Sequence, residues 1–189
     1  MSKAPVYARN LAANWGGHAD GRRAEGQRLR ILVTMVSGGM LWQARSLLER
    51  LGNGHDYVLV TAPDDRRTVQ SHFPDVSLNL VPFPSSSGLR SLRDKLLAPV
   101  ASLWRSGLLV RRFRPDVVLC VSTCLALPLF FWGRLWGART VYVESATRVT
   151  KLSRTGWLVL RLRLASRFYV QWPALARIHT GALFRGSVL

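Results

Sequence analysis

Short apolar runs alternate with segments of helical periodicity along most of this chain, and this alternation restricts its possible folds more than any other feature. The runs are too short and too β-branched for buried helices, and six of them are predicted strands: Arg30–Val36, Tyr57–Thr61, Val76–Val81, Pro115–Val121, Thr140–Val143 and Phe168–Gln171. Strands joined through helices pair in parallel. The 189 residues are therefore predicted to form one α/β domain, a parallel sheet with helices on both faces.

The first strand leads into a small-residue turn and an amphipathic helix. Ser37, Gly38 and Gly39 form the turn. Apolar side chains then recur at helical spacing, at Met40, Ala44, Leu47, Leu48 and Leu51. Strand, small-residue turn and helix open many nucleotide-binding, Rossmann-like folds. Two interpretations stay open: N–H groups at the helix start hold a phosphate or sugar oxygen, or the glycines only permit close packing of helix and strand.

The chain is strongly basic, with 27 Lys and Arg against 10 Asp and Glu and a formal net charge of +17. Such a charge favours anionic partners, namely nucleic acid, acidic lipid or phosphorylated small molecules, although a solvated basic face is an alternative. Nucleic acid is the least favoured because neither an aromatic RNA-binding motif nor a helix-turn-helix is visible.

The stretch Thr140–Leu175 concentrates the candidate chemistry. Its strand delivers Glu144 and Ser145 at the carboxyl end, where ligands bind in parallel sheets. A basic, hydroxyl-rich loop follows, containing Arg148, Thr150, Lys151, Ser153, Arg154, Thr155 and Gly156. One carboxylate beside so much positive charge predicts a site for a phosphorylated ligand.

The segment Leu89–Phe113 is amphipathic, with an apolar stripe and basic side chains mostly off that stripe. Pro99 is expected to break or kink it. It is interpreted either as a helix lying on an anionic membrane surface, with Trp104 as an interfacial anchor, or as a crossover helix with a solvated basic face. Periodicity alone does not separate these alternatives.

Other parts of the chain set its organisation. Residues 1–28 are predicted to be a disordered or loosely attached basic tail without a signal peptide, and residues 29–189 the folded domain. The uncharged stretch at residues 117–133 fits a strand, a loop and a helix better than a membrane span. Cys120 and Cys124 are predicted free thiols, and no metal site is expected because the histidines lack metal-ligand spacing.

Several of these motifs together resemble a known family. The chain contains, in order, VSGGM, RPDVVLC, VYVES, Arg148, Ser153–Gly156 and YVQWPAL. Together these segments resemble the membrane-recruiting subunit of the two-subunit N-acetylglucosaminyltransferase of N-glycan assembly. They resemble equally its bacterial relatives in exopolysaccharide synthesis. The resemblance covers about residues 29–189.

The resemblance implies the acceptor lobe of a GT-B glycosyltransferase at the cytoplasmic face of the membrane. It implies a polyprenyl-diphosphate-linked acceptor, an anionic membrane surface, no cofactor, and a small partner subunit that binds most of the UDP-sugar donor. The chain alone is expected to be inactive. Acceptor and phosphate contacts are assigned to Ser37, Gly38, Gly39, Arg148, Lys151, Ser153, Arg154 and Gly156, and the partner interface to Gln171, Trp172 and Pro173.

One position departs from the family pattern. The family usually has His after the glycines, whereas this chain has Met40, which cannot accept a proton. Glu144 is therefore the predicted catalytic residue, orienting or deprotonating the acceptor sugar. The alternative is a structural carboxylate paired with Arg148 or with an adjacent helix start. A further alternative is that Met40 marks a non-catalytic membrane scaffold for a partner enzyme.

Overall fold

The computed structural model describes residues 28–52, 54–73, 78–81 and 92–188. The predicted tail, apart from Arg28, and the turn-rich loop at residues 82–88 lie outside these ranges, as does the start of the third predicted strand.

Strands and helices alternate through the described residues. In chain order they are β1 (Arg30–Met35), α1 (Gly39–Leu51), β2 (Asp56–Thr61), α2 (Arg66–His72), β3 (Leu78–Leu80), α3 (Leu92–Phe113), β4 (Val117–Val121), α4 (Ala126–Leu135), β5 (Arg139–Val143), α5 (Arg154–Arg161), β6 (Arg167–Val170), α6 (Pro173–Ile178) and β7 (Ala182–Phe184). A 3₁₀ turn, Pro63–Asp65, precedes α2.

All seven strands pair in parallel in the order β3-β2-β1-β4-β5-β6-β7. The chain moves outward from β1 to β3, returns to place β4 beside β1, and then moves outward in the other direction. The direction of winding therefore reverses between β1 and β4. In open parallel sheets, ligands bind in the crevice beyond the carboxyl ends of such a pair.

Two hydrophobic cores lie on the two faces of the sheet. One core joins Val33 of β1 to Leu47 of α1 and Val69 of α2. The other joins Leu32, the neighbour of Val33, to helices α3 to α6. Successive residues of β1 thus face opposite cores, as strand geometry requires. The predicted Rossmann-like sheet with helices on both faces is confirmed.

Helix α3 is one element from Leu92 to Phe113, so the expected break at Pro99 was wrong, and the alternative of a kink there stays a prediction. Pro99 is exposed, and the carbonyl that loses its hydrogen bond to the missing N–H can bond to water. Trp132 of α4 also holds the helix, because its Nε1 donates to the Leu103 carbonyl at 2.8 Å. Gly107 allows this packing, since a Cβ there would lie 2.8 Å from the Trp132 ring.

Strand β7 was not predicted, because the sequence around it offers only the three-residue run Ala182–Phe184, whereas β3, equally short, lies in the longer alternating run Val76–Val81. The uncharged stretch at residues 117–133 forms β4, a loop and most of α4, as expected. None of the helices in the described ranges has the length and apolar character needed to cross a membrane.

Candidate functional site

The predicted site residues come together at the carboxyl edge of the sheet. The turn Ser37–Gly39 follows β1, Glu144 and its loop follow β5, and Gln171 follows β6. Because all strands are parallel, these segments meet at one edge. A side-chain bond joins the first two: Gln43 Oε1, on the first turns of α1, accepts a hydrogen bond from the Ala146 backbone N–H at 3.0 Å.

Glu144 is fully buried and accepts four hydrogen bonds. Ser122 Oγ and the Ser145 N–H donate to Oε1 at 2.8 and 3.0 Å. The Ser153 N–H and Oγ donate to Oε2 at 3.0 and 2.9 Å. Charge-assisted bonds of this kind offset the cost of burying a carboxylate. The geometry favours a structural carboxylate at a helix start over direct contact with an acceptor, and among the described residues no ion pair joins Glu144 to Arg148.

Ser153 and Gly156 make contacts within the fold, although Ser153 also lines the groove beside α5, and their predicted phosphate contacts stay predictions. Ser153 is the N-cap of α5, since its Oγ accepts from the Gly156 N–H at 2.9 Å while donating to Glu144. Gly156 is buried, and a Cβ there would overlap Glu144 Oε2. The Ser153 hydroxyl and the Gly156 N–H therefore bond within the fold, and the missing side chain of Gly156 leaves room for Glu144.

Lys151 and Arg154 line an open groove beside α5, with a volume of about 580 Å³. Both side chains are exposed. Trp157, Leu158 and Ile178 supply apolar walls, and His179 adds an imidazole. Arg148 is exposed on the same loop but does not line the groove. The sequence located the two cations but not Trp157, Ile178 or His179, because only tertiary packing brings one face of α5 and the end of α6 to the same groove.

Gln171 is buried, so the structure places it behind the predicted partner interface and not on it. Its Nε2 donates to Gln43 Oε1 at 2.8 Å and to the Glu144 carbonyl at 2.9 Å. Its Oε1 accepts from the Val188 N–H at 3.0 Å. Gln171 therefore ties α1, the end of β5 and the carboxyl-terminal segment together.

Trp172 and Pro173 are accessible, as an interface requires. Trp172 is half-buried and donates through Nε1 to the Ala146 carbonyl at 2.6 Å, while Pro173 is exposed at the first position of α6. Their role at a partner interface stays a prediction.

The turn after β1 is open to solvent. Gly38 has φ of +81°, a conformation that favours glycine, and both Gly38 and Gly39 are exposed. Ser37 Oγ donates a short hydrogen bond to Asp65 Oδ1, from the 3₁₀ turn after β2. Sequence reasoning missed Asp65, although its position just past the end of a predicted strand was the available signal.

The profile of the family described as "Oligosaccharide biosynthesis protein Alg14 like" matches residues 53–188. The chain belongs to this family. It is 27% identical over 186 residues to the mouse UDP-N-acetylglucosamine transferase subunit ALG14, covering 86% of this chain and 84% of the mouse protein. The human protein of the same name is 28% identical over 185 residues, with the same shares covered. The resemblance identified in the sequence is confirmed.

The fold of this Alg14-like chain matches part of a larger glycosyltransferase structure. Acinetobacter baumannii MurG superposes with a TM-score of 0.66 at 12% identity, over 82% of this chain and 45% of the MurG chain. The likeness is in the fold, and the chain spans a little under half of that GT-B protein. This agrees with the predicted single Rossmann-like lobe, and the chain is a glycosyltransferase-related subunit of oligosaccharide biosynthesis.

Proposed function

We propose that this chain is the acceptor-binding subunit of a two-component glycosyltransferase. It holds a polyprenyl-diphosphate-linked sugar, and a smaller partner subunit binds most of the UDP-sugar donor. The observation that carries the proposal is the match of 82% of this chain to 45% of MurG, in a family whose relatives are named as transferase subunits. We assign the second lobe of the cleft to the partner subunit, and no cofactor beyond the donor.

The groove beside α5 suits the diphosphate end of such an acceptor. Lys151 and Arg154 offer two exposed cations to the phosphates, and Arg148 adds charge on the same loop. Trp157 and Ile178 offer apolar walls to the first isoprenoid units. The loop that carries Lys151 and Arg154 follows β5, and the Ser37–Gly39 turn follows β1. Since β4 lies between these two strands, their carboxyl ends are about 10 Å apart. A sugar together with its diphosphate can span that distance and reach the crevice.

One helical layer presents the surface that we assign to the membrane. Large apolar side chains are exposed along α3 to α6 and at their ends: Val100, Leu103, Trp104, Leu108, Phe131, Leu135, Trp136, Trp157, Leu162 and Ile178. The layer formed by α1 and α2 exposes only one such side chain among the described residues, Trp42. Apolar groups that include three tryptophans suit insertion between lipid headgroups.

The charge of this layer matches an anionic lipid surface. Exposed arginines stand among its apolar side chains: Arg105, Arg111, Arg112, Arg134, Arg154, Arg161, Arg163 and Arg177. Between residues 98 and 188 no carboxylate is exposed, because Asp116 is half-buried and Glu144 fully buried. Basic residues near a membrane attract acidic lipids, so this composition favours a peripheral position. The free thiols Cys120 and Cys124 fit the reducing, cytoplasmic side.

The proposal is tested by isolating the tagged chain from its own cells in mild detergent. We expect a small second α/β protein to copurify, and transfer from a UDP-sugar to a polyprenyl-diphosphate-linked sugar to require both chains. Full transfer by this chain alone would contradict the two-component assignment, and so would a complex that transfers no sugar.

The position of Met40 favours a second candidate, a non-catalytic scaffold that only anchors its partner. Met40 is half-buried in the first turn of α1, where the family usually has His. A complex that transfers at the same rate when this chain's acceptor groove is disrupted by Lys151→Gln and Arg154→Gln would support the scaffold. Loss of transfer in that double variant, with the complex intact, would support acceptor binding.

A further inference from the structure

Asp65 is a carboxylate at the carboxyl edge that stays accessible after the hydrogen bonds of the fold are formed. It ends the 3₁₀ turn that follows β2 and is half-buried. Ser37 Oγ donates to its Oδ1 from the neighbouring turn after β1. Among the described residues no donor contacts Oδ2, so that oxygen is available to accept a proton.

Asp65 lies beside the crevice at which the sheet reverses its direction of winding. Ser37 stands at the end of β1, on one side of the crevice, and Cys124 follows β4 on the other. Burial raises the pKa of the Cys124 thiol, and the negative charge of Asp65 raises it further. The carboxylate is therefore within electrostatic reach of both sides of the crevice.

The other candidates for a proton acceptor at this edge are less suitable. Met40 has no basic atom, and Glu144 is buried with four donors around its two oxygens. His179 lines the groove beside α5, which we assign to the diphosphate. Asp64 is exposed on the same turn, whereas the hydrogen bond from Ser37 Oγ reaches Asp65.

We propose that Asp65 is the general base of the transfer reaction, held in place by the Ser37 hydroxyl. This inference rests on the proposed function. The attacking hydroxyl of the acceptor sugar gives its proton to Asp65 Oδ2 as its oxygen forms a bond to the anomeric carbon of the donor. The bond from that carbon to the nucleoside diphosphate breaks, and the diphosphate leaves with the electron pair. Asp65 then releases the proton to solvent.

The test measures sugar transfer by the purified complex of this chain with its partner subunit. Asp65→Asn should lower kcat roughly 10²- to 10⁴-fold, the usual contribution of a general base. The KM for the lipid-linked acceptor should change little, and the melting temperature should stay near that of the wild type. Asp64→Asn is the matched control and should keep the wild-type rate.

The pH profile separates proton transfer from a structural role. In the wild type, kcat/KM should fall at low pH if a general base takes the proton, and Asp65→Asn should lose that acidic limb. Asp64, Arg66 and Cys124 are the ionisable neighbours, so Cys124→Ser should leave the limb in place. Asp65→Glu should restore part of the rate of sugar transfer and the fall of kcat/KM at low pH.

Two different failures are distinguishable. An active wild-type complex with an equally active Asp65→Asn variant would overturn the role of Asp65 alone. An Asp65→Asn variant whose kcat/KM still falls at low pH would also overturn the role of Asp65 alone. A wild-type complex that transfers no sugar would overturn the proposed function, and the role of Asp65 with it.

Discussion

Gly156 and Glu144 depend on each other at the start of α5. Any side chain at position 156 would overlap Glu144 Oε2 and approach Ser153 Oγ to 3.0 Å. We therefore expect Gly156→Ala to displace the carboxylate from its donors and to lower the free energy of unfolding by about 1–3 kcal/mol, the usual cost of overpacking. Urea denaturation measures this loss. Gly54→Ala is the control, since a Cβ there meets nothing within 4 Å, and equal stability of the two variants would contradict the packing.

Glu144→Gln tests the buried hydrogen bonds directly. Each carboxylate oxygen accepts from one backbone N–H and one hydroxyl, so an amide NH₂ at either position faces a backbone donor. Leaving that N–H without an acceptor should cost about 1–3 kcal/mol in thermal or urea unfolding. The matched control is Glu49→Gln, an exposed carboxylate paired with Arg45 at 2.8 Å. Its effect should stay within about 0.5 kcal/mol. A stable Glu144→Gln variant would refute the structural role.

At this scale the sequence located the site but not the direction in which its side chains point. Glu144 could be placed at a strand end because strands are readable from local apolar runs. The inward direction of Ser153 and Gln171 depends on bonds between residues distant in the chain, such as that from Gln171 to Gln43. Asp65 was missed for the same reason, because only the β1–β2 pairing brings it to Ser37.

At the scale of elements, α3 carries a proline in its interior and still forms one helix. Proline there is about 3 kcal/mol less favourable than alanine, and part of that difference is offset by its restriction of the unfolded chain. We expect Pro99→Ala to raise the free energy of unfolding by about 1–3 kcal/mol. Pro128→Ala is the control, because Pro128 lies in the first turn of α4, where its missing N–H has no partner to lose. Equal changes in the free energy of unfolding for Pro99→Ala and Pro128→Ala would contradict this expectation and would mean that α3 is already strained or bent at Pro99.

The sequence predicted six of the seven strands and the helices between them, because each predicted strand lies in an apolar or alternating run of at least four residues. Strand β7 has three residues and depends on β6 for its pairing. The continuity of α3 through Pro99 was also not readable, since it rests on packing against Trp132 of α4. Both failures arise where a tertiary contact outweighs a local preference.

For the whole molecule, the asymmetry between the two helical layers predicts which face binds lipid. Trp104 of α3 is 67% exposed and Trp42 of α1 is 60% exposed, so they form a matched pair on opposite faces. Trp104→Ala should weaken binding to vesicles containing acidic phospholipid roughly tenfold, or about 1.4 kcal/mol, while Trp42→Ala should have little effect. Sedimentation with vesicles measures both. Added salt should weaken wild-type binding, because the arginines contribute through screened charge.

Three results would contradict the proposed orientation. They are equal losses in the two variants, a larger loss in Trp42→Ala, and wild-type binding that is the same on neutral and acidic vesicles. Any of them would leave the exposed layer of α3 to α6 as a surface for a protein partner.

The central claim is that this chain is the acceptor lobe, and ligand binding to the isolated full chain tests it most directly. We would measure its affinity for a polyprenyl-diphosphate-linked sugar in lipid nanodiscs and, separately, for a UDP-sugar. We predict binding of the lipid-linked sugar that is weakened in the Lys151→Gln, Arg154→Gln double variant, with far weaker binding of the UDP-sugar. Tight binding of the UDP-sugar without binding of the lipid-linked sugar would make this chain the donor lobe and contradict the account.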